Sequence, residues 1–575
     1  MTADPSPLVS SPDVYALAPE ALREIGYRAV DTVVDHLTGL ADGPVYRPMT
    51  DDERRVLLDQ SLPVLGTEPA EVLERFRRDI LAHPMGNGHP RFFAWVNSAP
   101  APMGIIGDLL ASAMNPGCAG GDHAGVLVER CVLRWLMELV GFPTDGSMGI
   151  LVSGGSTGTL TCLAAARHRA SLEDGWDDRV DGLQEAGSHF VLYASQEAHA
   201  AVRKSAQLLG LGDRAVRVIP VEADFRLSVE TLARAIAADR AEGLRPFCVV
   251  ATAGTTNTGA IDPLDEIADV CGSERLWLHV DGAYGALGRL DPDIAPLYRG
   301  LERADSLVLD PHKWLGVPLE CGAAIVRDGA MLRSTFSLVP PYLRTEEGAG
   351  IAVLPWLSEY GFQQSRRFNA LKVWMTLLEA GREGVAQLVR RHRALARSLA
   401  TLVDETPDLE RLAPVTLSTV CFRVVPPGLR GDDGRLDAFN RELANRVRED
   451  GSTFLATTTV AGREALRACI LHHGTTPEDV DTLVATVRRL AAELLADSTG
   501  ARYETIPVSG IHCPDCPARI DAALANVEGL LFEAAAGDGT LHLTVERDQA
   551  QEVNRSVAER LARLGFGADG GRGAE

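Results

Sequence analysis

Three of the 56 basic residues are lysines, Lys204, Lys313 and Lys372, and Lys313 sits at the centre of the run Leu309 to Gly316, LDPHKWLG. In a chain that otherwise relies on arginine for positive charge, a retained amine points to chemistry a guanidinium cannot do. Lysine can lose its proton and form an imine with a carbonyl compound; arginine can do neither. Upstream, Leu278-His279-Val280-Asp281-Gly282-Ala283-Tyr284-Gly285 is an apolar run ending in a carboxylate among small residues. An imine-forming lysine and a carboxylate able to pair with a pyridinium nitrogen are the two protein groups that pyridoxal phosphate requires. A lone lysine after a loop proline is ordinarily a surface residue. His312, Trp314 and the aspartate strand set this one apart.

A third feature is the turn Ser153-Gly154-Gly155-Ser156-Thr157-Gly158-Thr159, which follows Ile150-Leu151-Val152 and leads into a helix over Leu160–Ala170. Such a turn offers backbone N–H groups and a helix dipole to an anion. It lacks the GxxxxGK[ST] spacing of a nucleotide P-loop, so a cofactor phosphate suits it better. The elements that must position these groups alternate. Strands are expected at Phe190–Tyr193, Ala215–Pro220, Phe247–Ala251, Leu276–Asp281 and Ser306–Leu309, with helices at Ala200–Leu209, Val229–Ala241 and Leu264–Cys271 between them. That alternation implies a mostly parallel sheet covered on both faces. Sites in such sheets lie at the carboxyl ends of strands. Ser156, His199, Thr256, Asp281 and Lys313 each follow a strand.

The runs HPRFFAW, SGGSTGTLTCLAAAR, YASQEAHAAVRKSA, ATAGTTNTGAIDPL, WLHVDGAYG, DPHKW and SRRFNALKVW lie in that order between His89 and Trp374, within a stretch of roughly residues 15–495. Together they resemble the group II pyridoxal-phosphate-dependent decarboxylases, the family of the aromatic-L-amino-acid decarboxylases. The resemblance implies the type I, aspartate-aminotransferase-like α/β fold and decarboxylation of an L-amino acid to its amine and CO2. It implies that Lys313 holds the cofactor as an imine and that Asp281 pairs with the ring nitrogen. His199 would stack on one ring face and orient the substrate carboxylate, with Ala283 on the other face. Gly155, Ser156 and His312 would contact the phosphate, and Thr256 and Asp262 would fix the ring substituents and the strand-end loop. Tyr342, in Pro340-Pro341-Tyr342-Leu343, falls where the family places a loop tyrosine that protonates the substrate carbanion. Aldehyde-forming relatives lack that tyrosine and let the carbanion react with O2, so Tyr342 favours simple decarboxylation. Trp95, Val96 and Gly117 fall at substrate-pocket positions, and only Trp95 is aromatic, which leaves the substrate open. Asp310 stands where the family usually has asparagine.

The remaining chain supports this organisation. Its 46% hydrophobic and 23% charged residues are ordinary for a globular enzyme. A net charge of −23 argues against nucleic acid and anionic membranes. No membrane-spanning or signal segment is evident, and eight of the ten cysteines stand singly, so a reduced, cytoplasmic protein is expected. Residues 1–88 read as helices without a core of their own, which the family resemblance makes the seat of a homodimer. Residues 89–378 form the expected large domain and 379–497 the small one. The polar stretch Asp497 to Ala501 reads as a boundary to a tethered unit. Residues 502–570 follow a β-loop-α-β-β-α order with Cys513 and Cys516 in the first loop, resembling a heavy-metal-associated domain of ferredoxin-like fold. Two thiolates there suit a soft ion, Cu(I) or Zn(II); the glycine-rich tail argues against a last strand. A catalytically silent metal-binding or interaction protein is the competing class, and the retained lysine, aspartate and histidine weigh against it.

Overall fold

The computed structural model describes residues 17–185, 187, 189–338, 355–513 and 515–568. Three N-terminal helices, α1 (Pro19–Gly39), α2 (Asp51–Leu58) and α3 (Pro69–Arg75), lead in. Of these α2 was not legible as a helix. Thr50 and Glu53 close a capping box at its start and satisfy its first N–H groups. The three bury almost nothing: Leu22, Tyr27 and Val34 of α1 are exposed, and Leu62, Val64 and Leu65 in the following link are 82–96% exposed.

Next come α4 (Pro102–Met114), α5 (Ala124–Val140), β1 (Met148–Val152), α6 (Gly155–Glu173), β2 (Phe190–Ser195), α7 (Ala201–Leu208), β3 (Val216–Ile219) and α8 (Val229–Ala241). Then follow β4 (Arg245–Thr252), α9 (Leu264–Glu274), β5 (Trp277–Asp281), β6 (Ser306–Leu309), β7 (Gly322–Val326) and α10 (Gly329–Phe336). Seven strands form one sheet in the order β1-β7-β6-β5-β4-β2-β3. Only β7 runs against its neighbours; β6, β5, β4, β2 and β3 are parallel. Helices cover both faces, so β2, β6 and β7 are buried at every residue, which is why they read as apolar runs without alternation. Because β7 is antiparallel to both β1 and β6, the ends of β1, β2, β4, β5 and β6 meet at one edge.

The chain continues with α11 (Ala370–Glu405), bent at Gly381, where φ is +61°. After it come β8 (Leu409–Arg411), β9 (Thr419–Val424), α12 (Asp433–Asp450), β10 (Ala456–Val460), β11 (Arg463–Cys469) and α13 (Pro477–Thr499). A second, antiparallel sheet runs β10-β11-β9-β8. The last segment holds β12 (Arg502–Ser509), α14 (Cys516–Leu524), β13 (Leu530–Ala535), β14 (Thr540–Val545), α15 (Ala550–Arg563) and β15 (Gly567–Ala568). Its sheet order, β13-β14-β12-β15, is the ferredoxin-like one. The final strand exists despite its glycine, since Ala568 and Gly567 pair with Val508 and Ser509.

The expected tether between residues 497 and 501 is not one. Helix α13 runs on to Thr499, Gly500 ends it at φ +71°, and β12 starts at Arg502. From Leu483 to Ala496 this helix is buried nearly all round, because α11 and α12 with the core of the second sheet cover one side and the third sheet the other. Phe532 and Ala534 of β13 join the core of the second sheet. Thr544 Oγ1 donates to Ala492 O at 2.6 Å. At the centre, buried Arg488 donates to Asp521 of α14 (2.6 Å), to the carbonyl of Glu533 (2.7 Å) and to Asp408 (3.1 Å). Polarity of the linking residues misled because the docking is carried by the helix before them. Among the described residues, no helix is long and apolar enough to cross a membrane.

Candidate active site

Every candidate cofactor contact lines one cavity of about 400 Å³ at the shared strand edge: Gly155, Ser156, His199, Thr256, Asp281, Ala283, His312 and Lys313. Lys313 is the only lysine there. Lys204 is exposed, and Lys372 is buried with Nζ 3.2 Å from Asp108. The turn after β6 that presents Lys313 is tied down at several points. Lys313 N donates to Asp310 O (2.9 Å), and Gly316 N donates back to Lys313 O (3.2 Å). Trp314 is buried, donates from Nε1 to His392 Nδ1 (3.0 Å) and stacks on Tyr284 at 5.3 Å. The lysine therefore projects from a rigid base.

Asp281 closes β5 and accepts from Ala283 N (3.1 Å). On the same strand face stands His279, whose Nδ1 lies 2.8 Å from Ser306 Oγ; burial pushes it down to about 4, so it stays neutral beneath the carboxylate. His199, between β2 and α7, accepts at Nδ1 from Ala201 N (3.2 Å), which leaves Nε2 to carry the proton of a neutral ring. Gly155 is the first residue of α6, a tighter start than the helix expected from residue 160. Ser153 and Thr157 join through their hydroxyls at 2.9 Å across this turn. Gly154 and Gly155 leave room that side chains would fill: a Cβ on Gly154 would stand 3.2 Å from His312, and one on Gly155 3.2 Å from Ala283.

Asp262 is fully buried and accepts from Leu227 N (2.8 Å) and Thr252 N (2.7 Å), fixing the end of β4; burial raises it to about 6. Thr256 is held from the second sheet, where Arg467 of β11 donates to its carbonyl (2.8 Å) and to that of Ala94 (3.1 Å). Next to it, Asn257 bridges Glu197 (2.9 Å) and Thr458 of β10 (2.7 Å). Sequence reasoning missed Thr252, whose buried hydroxyl lines the cavity without a partner. Its place at the last residue of β4 was the available signal. Trp95, Val96 and Gly117 do not line the cavity: Trp95 packs on Phe92 and Phe454, and Val96 lies in the large core. Tyr342 lies outside the described residues.

An amine, a strand-end carboxylate, a glycine cradle at a helix start and the unpartnered buried hydroxyl of Thr252 fit pyridoxal phosphate in one cavity. Residues 52–425 match the family profile described as the pyridoxal-dependent decarboxylase conserved domain. The chain belongs to the pyridoxal-dependent decarboxylase family. The decarboxylase is 33% identical over 480 residues to the aromatic-L-amino-acid decarboxylase of Bacillus atrophaeus, covering 83% of this chain and 97% of that one. It is 35% identical over 471 residues to the L-2,4-diaminobutyrate decarboxylase of Rhizobium meliloti, covering 81% and 91%. Among solved structures, the Oryza sativa TDC with PLP and tryptamine superposes with a TM-score of 0.77 at 28% identity, covering 83% of this chain and 99% of that one. The decarboxylase is thus a pyridoxal-phosphate-dependent carboxy-lyase acting on amino acids. In its third sheet, Cys513 and Cys516 are joined as a disulfide at the start of α14, and the other eight cysteines are free. Among the described residues the one cluster of three metal-type ligands is His168, Asp177 and Asp178, where Asp178 is already paired with Arg167 and His168.

Proposed function

We propose that the decarboxylation runs in the cavity around Lys313, with the residue roles that follow. The convergence of Lys313, Asp281 and the Gly154–Thr157 turn on one strand edge carries this reading. Lys313 supplies the amine that attaches the carbonyl cofactor. Asp281 accepts a hydrogen bond from its ring nitrogen, and the α6 N-terminus with Ser156 and His312 receives the phosphate. When bound, the cofactor supplies the electron sink for the pair released as the substrate loses CO2. His199 lines the cavity, and an Nε2–H is a donor suited to holding a substrate carboxylate in place. Tyr342 returns a proton to the substrate carbon. Borohydride treatment of the yellow holoenzyme followed by peptide mapping tests the site: label on Lys313 supports it, and label on Lys204 or Lys372 refutes it. Product analysis over a panel of amino acids, with and without O2, then identifies the substrate and separates amine from aldehyde.

A homodimer is proposed from the apolar faces left open by one chain, on α1, on the link at Leu62 to Leu65, and at Leu109 and Met114 of α4. A second copy there would bring further side chains to the open substrate end, where Trp95 is 44% exposed. The C-terminal unit is proposed as a heavy-metal-associated-like module that takes a soft cation such as Cu(I) or Zn(II) at Cys513 and Cys516 after its disulfide is reduced. Metal analysis of the reduced protein and of a Cys513→Ser, Cys516→Ser variant tests this; equal metal content refutes it. The eight free thiols support a cytoplasmic setting.

A further inference from the structure

The carboxylate of Asp310 lies at the phosphate end of the cavity, and no role above uses it. It follows β6 directly, and its N–H donates to Ala283 O at 3.2 Å. Oδ2 stands 3.2 Å from Lys313 Nζ and 3.8 Å from His312 Nε2, and the side chain is 2% exposed. Oδ1 is buried without a hydrogen-bond partner. The glycines around it frame it closely. A Cβ on Gly155 would come 2.8 Å from Oδ2, and one on Gly322 2.8 Å from Oδ1. The carboxylate is therefore packed beneath the first residue of α6, where the anion is to sit.

That placement carries a conflict. The ammonium that neutralises Asp310 belongs to Lys313, the same amine that the cofactor consumes. A dianion on the turn sets two further negative charges against that one ammonium, and more so once the amine is engaged; like charges in a desolvated site drive one of the groups to its neutral form. We propose that an anion seated on the Gly154–Thr157 turn binds together with one proton, held on Asp310, which converts a repelling carboxylate into a hydrogen-bond donor. This rests on the assignment of that turn to the phosphate. Burial already pushes the Asp310 carboxyl above the usual carboxylate range, with the Lys313 charge opposing. The other ionisable groups that face it are Asp281 across the cavity, Cys321 beside Gly322, Glu320 at the rim, and His312. His312 is the rival proton carrier; burial holds its ring below the ordinary imidazole value, and its Nδ1 lies 2.6 Å from Cys321 O.

Sulfate is a suitable probe, because it stays a dianion from pH 6 to 8.5 and brings no titration of its own. The full-length chain, freed of cofactor, is titrated with sulfate by calorimetry in two buffers of different ionisation enthalpy. The expected result is close to one proton taken up per sulfate, with Kd rising about tenfold per pH unit. Asp310→Asn should bind sulfate with no uptake and a flat pH profile, while His312→Gln keeps the uptake. Sulfate bound by the native chain without a proton overturns the proposal, and so does undiminished uptake in Asp310→Asn. Should Asp310→Asn fail to fold, loss of the uptake in His312→Gln overturns it instead. If sulfate fails to bind, or fails to compete with pyridoxal phosphate, the phosphate assignment of the turn falls first and this inference with it.

Discussion

Replacing Arg488 by methionine keeps an unbranched apolar stem and removes the cation from a buried cluster. Its partners, Asp408 and Asp521, have side chains 8% and 5% exposed, and Arg488 itself is 6% exposed. Methionine fills the space of the stem and leaves that of the guanidinium, and the main loss is electrostatic: two carboxylates stay buried without a counter-ion. Breaking a buried ion pair from one side costs about 3–5 kcal/mol. At about 1.4 kcal/mol per factor of ten, local opening should become roughly a hundred to several thousand times more frequent. Hydrogen exchange reads this directly, in the second half of α13 and in β13, the two surfaces the arginine joins. Tryptophan fluorescence would miss it, because all seven tryptophans lie at or before Trp374. Adding Asp408→Asn and Asp521→Asn should restore most of the protection, since neutral groups no longer need the cation. Unchanged exchange in Arg488→Met would refute the claim that this cluster locks the C-terminal unit onto the enzyme.

Lys313→Ala and Lys313→Arg should both abolish turnover and the borohydride label, because neither side chain can form an imine; residual label on Lys204 would count against the site. Tyr342→Phe should shift products from amine toward aldehyde under O2, and an unchanged product ratio removes Tyr342 from the proton path. Burial, helped by the Asp521 charge, pushes Glu533 up to about 8, above its usual range. The folded state then holds a proton the unfolded chain releases, so stability of the C-terminal unit should fall as pH rises from about 4.5 to about 8. Denaturant midpoints across that range check this, and Glu533→Gln should flatten them. Deleting residues 1–80 should leave the chain insoluble; an active, well-behaved monomer from sedimentation analysis would contradict the dimer.

Much of the large domain could be read in advance because its strands are buried on both faces and its helices are amphipathic. Ser306–Leu309 and Val229–Ala241 appear with their expected ends. The site was legible for the same reason: each chemical group stands at the end of such a strand. Strand β7 escaped notice because Gly-Ala-Ala-Ile-Val has no alternation and its antiparallel course breaks the βα rhythm. The missed α12 is mainly polar, yet Leu436, Phe439, Leu443 and Val447 stand at helical spacing, a signal the sequence holds by itself. What covers that stripe is decided by its neighbours. The same holds for the false tether, whose evidence lay in Arg488, a charge placed among Val484, Val487 and Ala491.

The double burial of α13 bears on how such a chain is put together and taken apart. A unit joined by a flexible string can be cut off or grafted elsewhere at its string. Here the seam runs along a helix whose inner side belongs to the enzyme and whose outer side belongs to the appended sheet. Excision after residue 496 would strand Arg488 and bare the apolar surface that Phe532 covers. A graft onto another decarboxylase would have to bring the outer face of α13 with it. In this chain the two parts are to be engineered as a pair.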